Sequence, residues 1–94
     1  MTMVLDDQQR RALRARAHTL KPVVLIGQKG LHPSVIEEIQ AALDHHELIK
    51  VRIPGGREAM GPIVDEIISA TGADLVQRIG GIVALYLKKR TNQT

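Results

Sequence analysis

Ninety-four residues are enough for one hydrophobic core and too few for two. The chain is 44% apolar with a formal net charge of +3, has no cysteine, and carries Tyr86 as its one aromatic side chain. Disulfides, thiolate metal sites and cysteine nucleophiles are thereby excluded, and so is recognition of nucleic acid by rows of stacked aromatic rings.

Residues 6–20 read as a helix. Asp6 and Asp7 suit its positive N-terminal end. Leu13, Ala17 and Leu20 make one apolar stripe, and Arg10, Arg14 and His18 make a basic ridge on another face. Lys21-Pro22 ends the helix, because a residue before proline is pushed out of helical geometry. Val23 to Ile26 is a short, wholly apolar run, which predicts a strand buried on both faces. The N-terminal helix is expected to cover part of the sheet face opposite the other helices. Gly27-Gln28-Lys29-Gly30 follows as a loop.

A second helix begins near Pro33, with His32 or Ser34 at its cap and His45 and His46 in its last turn. Val35, Ile36, Ile39, Ala42 and Leu43 form its buried stripe. Leu48 to Ile53 reads as a strand with Ile49, Val51 and Ile53 inward and Lys50 and Arg52 on the other face. Pro54-Gly55-Gly56 is a turn. A third helix carries Met60, Val64, Ile67, Ile68 and Thr71 and stops at Gly72. Pro62 predicts that this helix starts near Gly61 or bends there. Leu75–Ile79 and Ile82–Leu87 are strands joined by Gly80-Gly81, a hairpin signal. The polar tail 88–94 is expected to fray. The predicted order is α-β-α-β-α-β-β around a four-stranded mixed sheet. That is an α/β architecture of two or three layers, one domain over 1–94 with its core at about 6–87.

Charge is unevenly distributed. Residues 1–30 carry a net +4, residues 31–60 a net −2 and residues 61–94 a net +1. A basic N-terminal third suits a polyanionic partner. The loop 27–30 supplies a mechanism. Its glycines let the backbone turn sharply and approach a ligand closely. The N-terminus of the following helix favours an anion, and Lys29 adds a mobile positive charge. Such a loop suits phosphodiester backbone held without regard to sequence, as Gly-x-x-Gly loops do in KH modules. It lacks the glycine spacing and the Lys-Ser/Thr ending of a phosphate-binding Walker loop. The bland alternative is a plain strand-to-helix turn.

The ordered set Leu20-Lys21-Pro22, Gly27–Gly30, His46-Glu47-Leu48-Ile49-Lys50-Val51, Thr71-Gly72-Ala73, Val76-Gln77-Arg78-Ile79-Gly80 and Leu85-Tyr86 closely resembles the YhbY-like CRM domain family (chloroplast RNA splicing and ribosome maturation). The resemblance runs from about Arg10 to Tyr86. It implies a fold similar to the C-terminal domain of translation initiation factor three. It also implies RNA binding, with ribosomal RNA of large-subunit precursors as the partner, as for single-domain bacterial members. Plant relatives carry the domain in intron splicing factors. Carried over by residue, it puts RNA contact on Gly27, Gln28, Lys29 and Gly30, on Lys21 beside the loop, and on the basic surface that Arg14 and His18 extend. Lys50, Arg52 and Arg78 match family positions. Three features depart from the family pattern: Gly81, where many relatives have lysine; Leu87, where many have arginine; and Met60-Gly61-Pro62 at the start of the third helix.

His45 and His46 are adjacent, so on a helix they point about 100° apart, whereas metal-binding pairs prefer i, i+4 spacing. Ser34 and Ser69 lack a nucleophile-elbow setting, and Glu37 and Glu38 decorate a helix face. The expectations are therefore no catalytic residues, no metal, no cofactor and no small-molecule substrate. With no apolar N-terminal segment and no run of about 20 apolar residues, no secretory signal and no membrane association are expected. A cytoplasmic monomer follows as the expectation. A protein-interaction module that docks on a ribosomal or RNA-processing partner is the alternative reading.

Overall fold

Asp6 opens the first helix with a capping box. Its carboxylate accepts from the Gln9 N–H at 2.7 Å, and the Gln9 side chain accepts from the Asp6 N–H at 3.1 Å. The computed structural model describes residues 6–27 and 30–88, the Arg57 side chain excepted. Gln28, Lys29 and the tail from Lys89 onward lie outside the described residues.

Seven elements follow in the predicted order: α1 (Asp7–Ala17), β1 (Pro22–Leu25), α2 (Pro33–His46), β2 (Leu48–Arg52), α3 (Gly56–Thr71), β3 (Asp74–Ile79) and β4 (Ile82–Tyr86). The sheet runs β1-β2-β4-β3. β1 is parallel to β2, and the other two pairings are antiparallel.

Period-two alternation divides the sheet residues between two faces. Ile49, Val51, Ile53, Val83 and Leu85 pack on one face against α2 and α3, through Ile39, Leu43, Met60, Val64 and Ile67. Leu48, Val76 and Ala84 pack on the other face against Leu13 and Ala17 of α1. Among the described residues three layers result, with α1 alone on its side.

The structure corrects three sequence-based expectations. α1 ends at Ala17 rather than Leu20, and Leu20 is exposed. The chain leaves the helix in a turn closed by the Leu20 N–H donating to the Ala17 carbonyl at 3.0 Å. β1 is not buried on both faces: Val24 is covered, while Val23 is 49% and Leu25 67% exposed. The short α1 does not reach over them. Third, α3 starts at Gly56 rather than near Gly61 and runs to Thr71 with Pro62 inside it. Pro62 removes one hydrogen bond to the carbonyl of Glu58. Glu58 and Pro62 are both exposed, so water can replace that bond, and burial of Met60, Val64 and Ile67 holds the helix on the sheet. In the hairpin, Gly80 carries φ +57° and Gly81 does not lie at positive φ, the pattern of a II′ turn.

Candidate nucleic-acid interface

The Gly27–Gly30 loop starts where β1 leaves the sheet. The Ile26 N–H donates to the Arg52 carbonyl at 3.0 Å, which ties the loop entrance to the end of β2. The Gly30 N–H donates to the Gly27 carbonyl at 3.0 Å and closes the turn. Gly30 has φ +91°, a conformation that favours glycine. Gly27 does not lie at positive φ, and a side-chain carbon added at either glycine would meet nothing within 4 Å. Leu31 and His32 separate the loop from α2, whose N-cap His32 makes no side-chain cap hydrogen bond.

The hairpin tip lies at the same end of the sheet. The Ile53 N–H donates to the Gly81 carbonyl at 2.7 Å. The entrance of the loop, the end of β2 and the β3–β4 turn are thus gathered together, although 54 positions separate residue 27 from residue 81.

Strand register defines the surface beside them. Leu25 pairs with Arg52, Arg52 with Ile82, and Ile82 with Ile79. Paired residues share a face, and here it is the α1 face. The next row inward holds Lys50, Ala84 and Gln77. α1 covers only the far half, through Leu48, Val76, Ala84 and Tyr86. The near half is open, with Arg52, Leu25 and Ile79 exposed and Lys50 half-buried. His18, the C-cap of α1, stands at the boundary and lines a depression of about 120 Å3 with Lys50, Gln77, Ile79, Ile82 and Ala84.

The expected site residues therefore fall into groups. Lys50, Arg52 and His18 share the open half-face beside the Gly27–Gly30 loop. Arg14 is exposed one turn up α1 from His18. Lys21 is not beside the loop. It precedes β1, six residues and about 20 Å of extended chain from Gly27, and lines a separate groove of about 490 Å3 with Arg16, Leu20, Val23 and His46. Arg78 pairs with Val83, so it projects from the α2/α3 face, across the sheet from Lys50. Arg10, read as part of the basic ridge, donates through its guanidinium to the Leu75 carbonyl on β3.

The sequence reading missed the open aliphatic floor of Leu25, Ile79 and Ile82. It also missed the aim of Gln77, which an irregularity in β3 pairing decides. No local signal in 75–79 announces either. His45 and His46 meet edge to face with ring centroids 5.4 Å apart. Among the described residues, no cluster of three or more His, Asp or Glu side chains could hold a metal ion. No helix among them is long and apolar enough to cross a membrane.

Comparison with known proteins agrees with this architecture. An "RNA-binding protein" of Haemophilus influenzae is 46% identical over 83 residues, spanning 87% of this chain and 84% of that protein. "Probable RNA-binding protein YqeI" of Bacillus subtilis is 32% identical over 91 residues, 96% of this chain and 95% of that protein. The solution structure of a Staphylococcus aureus protein, described as a candidate RNA binder, superposes with a TM-score of 0.81 at 31% identity, covering 96% of this chain and 95% of that one. Residues 5–86 match the model of the CRS1/YhbY (CRM) domain, and the chain belongs to that family.

Proposed function

We propose that this chain is an RNA-binding protein that grips RNA backbone with the Gly27–Gly30 loop and the adjoining cations Lys50 and Arg52, with His18 and Arg14 extending the footprint along α1. Its RNA is ribosomal RNA in precursors of the large subunit. It acts there as a cytoplasmic, monomeric assembly factor rather than as an enzyme. The observation that carries this reading is the adjacency of the loop entrance to Arg52 and Lys50 on a sheet face that α1 leaves open. The space around Gly27 leaves room for a backbone to approach. The RNA-binding names of the Haemophilus influenzae and Bacillus subtilis relatives support the same class of partner. Lys21, at the far end of β1, and Arg78, on the opposite sheet face, lie outside this grip.

Backbone contacts make binding salt-dependent, because each neutralised phosphate releases counterions. Binding of the full chain to large-subunit ribosomal RNA fragments should fall steeply with salt. Lys29→Ala should lower affinity for every fragment and reduce the log–log salt slope by about 1. Gly30→Asp, which places a carboxylate at the loop, should weaken binding further. The loop reading is wrong if both variants bind as the unmodified chain does. A second reading, docking on a ribosomal or RNA-processing protein, is favoured by exposed Leu20 and Val23 beside the outer edge of β1. A cellular complex that survives nuclease and high salt would support it over the first.

A further inference from the structure

β3 departs from regular pairing at one place. Leu75 pairs with Leu85 and Gln77 with Ala84, which leaves Val76 as an extra residue. Such a bulge re-aims the side chain that follows it. In a regular strand Gln77 would share the face of Leu75, against α2 and α3. Instead Val76 is buried beneath α1, and Gln77, on that same face, points into the depression at the end of the helix. Its side-chain amide makes no hydrogen bond to any described residue.

The floor of the depression is aliphatic, made by Ala84, Ile82 and Ile79, and Ile79 is 64% exposed. Lys50 lines one side, Arg52 stands in the neighbouring row, and no carboxylate of a described residue lines it. An occupant must therefore offer an apolar body, an edge of hydrogen-bond donors and acceptors for the amide, and negative charge close by. The volume, about 120 Å3, is close to that of an apolar cavity that takes one planar ring.

We propose that this depression is a base-binding subsite, in which one unstacked RNA base lies on Ile79 and Ile82 with its edge hydrogen-bonded by Gln77, while Lys50 and Arg52 hold the flanking phosphates. The inference rests on the RNA-binding reading above and deepens it. The Gly27–Gly30 loop holds backbone of any sequence, whereas the subsite gives the protein a base preference. The aliphatic floor replaces the aromatic ring that this chain does not supply, since Tyr86 packs against the α1 cluster at the covered end of the same face.

The test compares affinities of the full chain for equal-length single-stranded oligomers of uridine, cytidine and adenosine. A good base contact discriminates by about five-fold or more, so one oligomer should bind at least that much tighter than the weakest. Gln77→Leu keeps the bulk and removes the amide, and the ratio should collapse toward one. Gln77→Glu exchanges the amide donor for an acceptor and adds a negative charge, which lowers the affinity for all three oligomers alike, so the ratio among them is its readout, and it serves as the second variant where the leucine change lowers the melting temperature. Lys50→Ala should weaken all three oligomers by a similar factor and preserve the ratio. Equal affinity of the unmodified chain for the three oligomers, or a preference that survives both Gln77 changes, overturns the subsite and leaves the backbone grip standing. Failure to bind any of the three overturns both.

Discussion

Arg10 and Arg14 lie one helical turn apart on α1, and the sheet uses them differently. Arg10 reaches the Leu75 carbonyl at the outer edge of β3, which caps an edge acceptor and anchors the helix. Arg14 is exposed. A hydrogen bond from a charged donor contributes about 1.5–3 kcal/mol when well buried, and Arg10 is only partly so. Arg10→Ala should therefore lower the urea-unfolding free energy by about 1 kcal/mol. Arg14→Ala should leave the unfolding curve in place and reduce the salt slope of RNA binding by about 1. The reverse assignment of the two effects would contradict the structure. Helical spacing puts both arginines on one ridge. Which of them meets β3, 65 residues away, is a tertiary contact that no local pattern encodes. The same holds for Lys21, which adjoins the loop in the family resemblance but stands at the opposite end of β1 in the fold.

At the scale of elements, propensity and packing compete most visibly in α3. A proline in a helix interior costs about 3 kcal/mol relative to alanine, which is why Pro62 reads locally as a start or a bend. The helix nevertheless runs through it, because Met60, Val64 and Ile67 are buried on the sheet from both sides of that position. Pro62→Ala should raise stability by about 1–3 kcal/mol, seen as a higher denaturant midpoint with unchanged slope. No gain would mean that the local backbone has already relaxed around the proline. β1 shows the opposite outcome. Its four apolar residues predict burial on both faces, yet α1, with 11 residues, is only about 16 Å long and covers half of that side. The length of a covering element settles which strand residues stay exposed, and strand composition carries no record of it. Strand content, helix stripes and the Gly80-Gly81 turn were legible because they depend on local periodicity.

The whole molecule is a sheet with unequal cover. Ile39, Leu43, Ile67, Val51, Val83 and Leu85 are fully enclosed between the sheet and the α2/α3 layer. Removing a buried isoleucine side chain to alanine costs about 2–5 kcal/mol, against a total of roughly 5–15 kcal/mol for a domain. Ile67→Ala should therefore lower the thermal midpoint by at least about 8 °C, since each kcal/mol moves a domain of this size by about 4–8 °C. A smaller shift would mean that the layer is less tightly packed than the structure indicates. The opposite side is thinly covered and carries the open half-face. By itself the sequence determined the number, order and type of the elements, the inward residues of α2 and β2, the basic N-terminal third and the family. All of these follow from local periodicity, turn chemistry and ordered motifs. Only the tertiary structure decided which cations stand together, because strand pairing brings Lys50 and Arg52 beside the Gly27–Gly30 loop and sends Arg78 to the other face. Only it decided that Gln77 faces the open depression, because one unpaired residue in β3 reverses the alternation that sequence alone would assign.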